Sequence, residues 1–310
     1  MLWLFVAANT PRGGTRMSVS SNQGLWSFIL PTFLTLGAIT VTPILATFGI
    51  SLLYINLTMP GPPMFVGLEN YAELMADSRF WNSAVVTAEL IFIPVAAQIA
   101  IGLLLAMVLK EKLAGTRWMR MAFLLPAVIP PAVSGLIWKL FIVPGAGGLA
   151  WLGGLFGADM SLDLLSMPSS ALAVVIVASV WTGTPFVALL FLSALESIGD
   201  DQYEAARIDG ASWFQSHWHI SLPELRPAII TVTVFRILEA LAIFPIIFVL
   251  TGGGPAGSTE PVNYLAYVNG FEYLRVDYAA TIIVSFFIVM MALCAPFLVG
   301  IARREAKEAR

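Results

Sequence analysis

Charge is scarce in this chain. Only 11% of its 310 residues are Asp, Glu, Lys or Arg, whereas an ordinary soluble domain carries about 25%. That leaves too little polar surface to clothe a water-soluble body of this size. Cysteine is nearly absent: Cys294 stands alone inside an apolar run, which excludes a disulfide framework. The only histidines are His217 and His219, so no metal-ligand cluster is expected. A phosphate-binding Gly-x4-Gly-Lys-Ser/Thr loop is also missing, since none of Lys110, Lys112, Lys139 and Lys307 precedes Ser or Thr. The chain is therefore not a P-loop ATPase by itself. Without a basic patch interleaved with aromatics, nucleic acid is not an expected partner. No Ser/His/Asp set falls inside the apolar runs either.

What is present is hydrophobic sequence: 58% of residues, with mean hydropathy +0.86. A helix that crosses a bilayer needs about 20 mostly apolar residues. Runs of that kind extend from Trp26 to Tyr54, Trp81 to Leu109, Met121 to Val143, Ser170 to Leu195, Pro227 to Leu250 and Tyr278 to Ile301. Because lone strands leave their backbone unsatisfied in lipid, these runs predict an all-α membrane protein of about six transmembrane helices. Met1 to Ala8 lacks preceding basic residues, and the polar stretch that follows leads straight into the first run. Residues 1–25 are thus expected to be a cytoplasmic tail, not a cleaved signal peptide, with Met1 or Met17 as the start. Residues 26–301 form the transmembrane domain and residues 302–310 a second tail.

Orientation follows from Lys and Arg. One side collects Arg12, Arg16, Lys110, Lys112, Arg117, Arg120, Arg207, Arg226, Arg303, Arg304, Lys307 and Arg310, whereas the other holds only Arg79 and Arg275. The acids Glu69, Glu73, Asp77, Asp159, Asp163, Glu260, Glu272 and Asp277 gather with those two. The bias places both termini in the cytoplasm, consistent with an even number of spans.

Between the fourth and fifth runs lies a polar loop, residues 200–226, on the basic side. Asp200 and Asp201 are suited to cap a helix beginning near Gln202, with Tyr203, Ala206 and Ile208 as its apolar edge. Gly210 permits a positive-φ turn. A second short helix is expected from Ser212 to Ile220, ending before Leu222-Pro223. Small Ala205 and Ala206 beside Glu204 let another protein approach closely.

The spacing Glu204-Ala205-Ala206, three residues, Gly210, nine residues, Ile220-x-Leu222-Pro223 resembles the signature of permease subunits of binding-protein-dependent ABC importers. Phe65-Val66-Gly67-Leu68-Glu69-Asn70-Tyr71, Leu250-Thr251-Gly252-Gly253-Gly254-Pro255 and Asp277-Tyr278-Ala279-Ala280 are similar to its carbohydrate-importing branch. The resemblance implies a type I ABC importer permease architecture in the bacterial inner membrane. It also implies that Glu204, Ala205, Ala206, Asp209, Gly210, Ile220, Leu222 and Pro223 form a coupling loop that docks on an ATPase. The implied partners are a second, homologous permease subunit, an ATP-binding subunit dimer and an extracytoplasmic substrate-binding protein. ATP and Mg would sit on the ATPase, leaving this chain non-catalytic and without a cofactor. This branch often has Phe-Asp where the present chain has Phe244-Pro245, which removes an intramembrane carboxylate and adds a helix breaker.

Ionisable residues inside a span cost about 2.5–3.5 kcal/mol each on insertion scales, so they face protein or water. Glu89, Lys139, Arg236 and Glu239 qualify. Arg236 and Glu239, three apart on one helix face, are placed to neutralise each other, and Lys139 to snorkel. Candidates for a substrate path are Glu89, Gln98, Trp138, Trp181, Arg236 and Glu239; structural pairing and interfacial anchoring are the competing roles. Two rivals remain: a secondary transporter driven by an ion gradient, and a membrane enzyme. Neither accounts for the Glu204 to Pro223 spacing.

Overall fold

The computed structural model describes residues 22–59, 61–111, 123–158 and 162–308. Residues 1–21, with both possible starts, lie outside the described residues, as do Lys112, Arg117, Arg120, Asp159 and Arg310. The chain divides into two units, Met1–Thr47 and Phe48–Arg310.

The first unit contributes most of α1 (Asn22–Ser51). Pro31 and Pro43 lie inside this helix. The hydroxyls of Thr35 and Thr47 donate to the carbonyls of those prolines, each at 2.8 Å. Bonding to the i−4 carbonyl leaves no bare hydroxyl for lipid.

In the second unit a two-residue hairpin, β1 (Leu53–Tyr54) and β2 (Met64–Phe65), pairs Leu53 with Phe65 and Tyr54 with Met64. It is followed by α2 (Glu69–Ala76) and the long α3 (Ser78–Lys110). Next come α4 (123–128), α5 (Pro131–Phe141), α6 (Gly148–Leu155) and α7 (Pro168–Glu196). The loop contributes α8 (Asp200–Ile208), α9 (Trp213–Ser216), a π turn over His217–Ser221, and α10 (Leu222–Glu224). After α11 (Arg226–Ala240) and α12 (Phe244–Leu250), α13 (Val262–Tyr267) runs into a second π turn at Val268–Glu272, and α14 (Val276–Glu308) closes the chain.

Among the described residues, three helices are individually long and apolar enough to cross a membrane: Ile29–Ser51 within α1, α3 and α7. Jointly α11 and α12 qualify as a fourth, bent by 49°. The third and fifth apolar runs are thus broken helices, and proline chemistry explains both. Pro131 opens α5 after Pro130, whose backbone is extended. Pro245 lacks the N–H that would bond the Leu241 carbonyl. The Asn263 side-chain amide donates to that carbonyl instead, at 3.1 Å, so the break leaves no orphan acceptor. The Phe244-Pro245 breaker expected from the sequence therefore sits at the bend.

Helices α3 and α7 form the frame. A Cβ on Gly102 of α3 would lie 2.7 Å from Val187 Cγ1 and 3.2 Å from the Ala188 nitrogen of α7. Only glycine permits that approach, the small-residue packing by which helices associate in lipid. On α11 Arg236 is buried while Ile230 and Leu238 are exposed, as a helix with one face toward lipid permits. At the acidic end, the two isolated basic residues are both paired. Arg79 grips Glu260 through two bonds of 2.8 Å, and Arg275 grips Glu73 at 2.6 and 3.0 Å.

Candidate functional site: a two-helix loop and an interior cavity

The Glu204 to Pro223 loop forms two short helices joined by a turn, as its residues suggest, but its bounds differ from expectation. Helix α8 begins at Asp200, not Gln202. The two aspartates occupy its first turn, where they face the positive end of the helix dipole, and Gly199 is the cap without a side-chain bond. Its C-terminus is a Schellman turn: Ala211 N–H donates to the Ala206 carbonyl at 2.9 Å and Gly210 N–H to Arg207 at 3.1 Å. Gly210 takes φ +79° there, the left-handed conformation expected for it.

Ser212 then starts α9 with a reciprocal capping box: its hydroxyl accepts from Gln215 N–H, and Gln215 Oε1 accepts from Ser212 N–H at 2.8 Å. The helix does not stop before Leu222-Pro223. It widens into the π turn His217–Ser221 and resumes at Leu222, with Pro223 in the first turn of α10, where a missing N–H costs nothing.

Burial divides the loop into two faces. Tyr203, Ser216, His217 and Ser221 are buried, whereas Glu204, Ala205, Arg207, Asp209 and Gly210 are exposed. Ile208, expected on the apolar edge with Tyr203, is instead 86% exposed. Phe214 (65%) and Trp218 (57%), whose rings stack at 5.8 Å, are likewise uncovered apolar groups of the loop. Of the motif positions, Ile220 and Leu222 are half-buried and Pro223 is exposed. Burial lowers the His217 pKa, opposed by the nearby Glu111 carboxylate and reinforced by Lys110.

The second feature is a cavity of about 410 Å³ between α3, α5, α7 and α11, within the range of about 300–1,000 Å³ usual for small-molecule pockets. Its walls are mostly apolar, with Leu90, Val95, Phe186, Phe235, Ile243 and Ile246 among them, and carry a few polar groups. Arg236 donates through Nε to Gln98 Oε1 at 3.0 Å and through Nη1 to Glu239. Gln98 in turn donates to the Ser179 carbonyl at 2.8 Å. A polar crossbar thus spans α3, α7 and α11. The Arg236–Glu239 pairing expected from sequence is present, and Gln98 joins it from 138 residues away.

Glu89, Trp138 and Trp181 lie outside the cavity lining. The two indoles meet edge to face at 6.0 Å, Trp138 packing on the core that includes Ile142, Val174 and Ile246. Lys139 bonds the Val249 carbonyl at 3.1 Å. Gly183 went unnoticed in the sequence. A Cβ there would stand 2.4 Å from Arg236 Nη2 and 2.5 Å from Gln98 Nε2, so the crossbar needs a glycine beneath it. The one local signal for it is a small residue between Thr182 and Thr184 in a bulky run.

Comparison with known proteins agrees with these features. The family model for the inner membrane component of binding-protein-dependent transport systems matches residues 98–307, which include the loop and much of the cavity. The trehalose/maltose transport system permease protein MalF of Thermococcus litoralis is 36% identical over 281 residues, covering 89% of this chain and 93% of that protein. The trehalose transport system permease protein SugA of Mycobacterium tuberculosis is 34% identical over 276 residues, 89% of this chain and 87% of its own length. Among solved structures, a chain of a bacterial ABC transporter involved in import of the acidic polysaccharide alginate superposes with TM-score 0.75 at 22% identity. It covers 90% of this chain and 95% of that one, which shows a shared fold. Composition, broken apolar helices, loop spacing and these matches converge: the chain belongs to the family of binding-protein-dependent transport system inner membrane components.

Proposed function

We propose that this chain is a transmembrane permease subunit of an ATP-driven ABC importer, and that it moves a carbohydrate or related polyol or glycoside inward by alternating access. The observation that carries the proposal is the Glu204 to Pro223 loop: a two-helix element that leaves its motif residues Glu204, Ala205, Asp209 and Gly210 exposed, together with the apolar Ile208, Phe214 and Trp218. Such a surface suits an ATP-hydrolysing partner, and a sequence without a phosphate loop fits a reading in which hydrolysis, with its ATP and Mg, belongs to that partner. Six spans with both termini in the cytoplasm complete the reading. The broken third and fifth runs each count as one span, and the loop lies on the cytoplasmic side by its charge.

The carbohydrate class is supported by relatives named as trehalose and maltose permeases. A cavity with apolar, partly aromatic walls and a small polar crossbar suits a ring that is apolar on its faces and hydroxylated at its edge. Gln98, Arg236 and Glu239 are the substrate-contacting residues in this reading, and Gly183 sets their position. An extracytoplasmic binding protein would deliver the substrate to the acidic end, at Glu69 to Arg79 and Gly252 to Asp277. A homologous permease subunit would complete the path, and closure of the ATPase dimer would rock the helices between two states.

The test is reconstitution in vesicles with the partner permease, the ATPase and the binding protein. ATP-dependent uptake of a neutral sugar is the expected result. Gradient-driven uptake by this chain alone, without an ATPase, would overturn the reading.

A further inference from the structure

The inner face of the loop is held by a closed ring of side chains. Lys110, the last residue of α3, places Nζ 3.7 Å from the centre of the Tyr203 ring and donates to the Leu195 carbonyl of α7 at 3.0 Å. The Tyr203 hydroxyl meets Ser221 Oγ at 2.8 Å, and Ser221 Oγ meets His217 Nδ1 at 2.7 Å. His217 Nε2 lies 3.7 Å from Glu111 Oε1, and the same oxygen accepts from Trp213 Nε1 at 2.9 Å. The peptide bond from Lys110 to Glu111 closes the circuit. Two hydrogen bonds share one serine hydroxyl, so with a neutral imidazole the donors run from Tyr203 to Ser221 to His217 Nδ1, leaving Nε2–H toward Glu111.

None of these contacts is needed to connect the loop to the chain, because α7 and α11 already do so through the backbone. The ring adds directional bonds to α3, beside the apolar packing of Leu222 and Leu225 in one cluster with Met107 and Leu109. That helix runs unbroken from Lys110 back to Gln98, about 18 Å along its axis, and locks against α7 at Gly102 on the way. At its far end Gln98 holds Arg236 in the cavity. Displacing the loop must therefore also displace α3, and with it one arm of the crossbar.

We propose that Lys110 and Glu111 are positioning residues for coupling: they make α3 a strut that carries loop movement to the cavity. This rests on the docking reading above. Without the ring the loop would still bind the ATPase through its outward face, but part of its stroke would be lost at a slack joint.

The experiment uses the full importer, purified as an assembled complex, and reads sugar moved per ATP hydrolysed. Lys110→Met and Glu111→Ala are expected to copurify with the ATPase at wild-type ratio yet lose transport per ATP by about fivefold or more. Glu111→Gln, whose amide oxygen still accepts from Trp213, is expected to restore it. Trp213→Phe deletes the N–H to Glu111 at an exposed position while keeping an aromatic ring beside His217. It should lower the ratio by a smaller factor, and it carries the test should the other variants fail to assemble. An unchanged ratio in the complexes that form, even when their yield falls, would reduce the ring to a structural role and overturn the proposal. Failure of the wild-type chain to copurify an ATPase would instead overturn the docking reading beneath it.

Discussion

The ring around His217 and the crossbar at Arg236 both join α3 to later parts of the chain, one at its C-terminal end and the other about 18 Å along it. The ring uses neutral bonds through Ser221, the Lys110 ammonium over Tyr203 and the Glu111 carboxylate, with Glu111 and Trp213 partly in solvent. Any one such bond contributes about 1 kcal/mol, somewhat more where a charge takes part. The crossbar buries a guanidinium to 8% exposure and neutralises it with a carboxylate from the same helix. Stripping a fully buried ion of its partner costs about 3–5 kcal/mol; the Glu239 side chain is half exposed, so its loss should cost less. The comparison separates a crossbar that bears on which helix arrangement is stable from a ring proposed to carry movement.

The largest expected effect breaks that division if it fails. Glu204 makes none of the bonds in the ring or the crossbar and is exposed, at the edge of the cleft that Lys110, Glu111 and His217 also line. Glu204→Lys should abolish ATP-coupled uptake by reversing charge at the docking surface, with membrane insertion and thermal stability unchanged. Vesicle uptake alongside a thermal unfolding curve checks both halves. Normal uptake would remove the loop from the mechanism.

Within the crossbar the expected effects fall on stability first. Gly183→Ala forces a methyl group into the space of Arg236 and Gln98 and should cost about 1–3 kcal/mol, the usual penalty for overpacking. Uptake should fall with it because the cavity's polar groups are displaced. Glu239→Gln retains a hydrogen-bond acceptor and should reduce uptake less than Glu204→Lys. A changed order of sugar preference in that variant would assign Glu239 to substrate as well as to Arg236. Gly210→Ala should cost about 1–2 kcal/mol from the left-handed backbone alone, because nothing lies within 4 Å of a Cβ at that site. Copurification of the ATPase sharpens that result: if it falls much further than stability, the partner's surface comes close to Gly210.

Much of this arrangement is legible in residue order. The runs Trp81 to Leu109 and Ser170 to Leu195 fall within three residues of α3 and α7, because hydropathy alone decides where a helix enters lipid. The Schellman turn at Gly210 and the Arg236–Glu239 pair are local patterns that sequence displays directly. The breaks at Pro130-Pro131 and Leu241 to Ile243 are concealed by uniform apolarity on both sides, although the prolines are visible. Continuation of α9 through Pro223 was missed because a π turn resolves the proline conflict, and no composition announces a π turn. The contacts of Gln98 with Arg236 and of Glu111 with Trp213 span 138 and 102 residues. Lys110 and Glu111 read only as charge near a membrane face until folding brings Tyr203 and Trp213 to them.

The smallest expected effect concerns His217 and tests the ring by pH. Burial holds its pKa below the usual histidine value of about 6.5. A group whose folded pKa is depressed binds more protons when the ring is open. The contribution of neutral His217 is therefore complete above the ordinary value and is lost as pH falls from there toward and through the folded pKa. Glu111 opposes burial and Lys110 adds to it, so the net change in stability should be modest. Protonation puts a hydrogen on Nδ1 and reverses the donor order through Ser221 and Tyr203, loosening the joint without removing it. Transport per ATP should decline gradually below about pH 6.5 in the wild-type complex and stay flatter in His217→Gln, with only a modest fall in stability over the same interval. Parallel pH profiles for wild type and His217→Gln would show that the loop's acid response arises elsewhere.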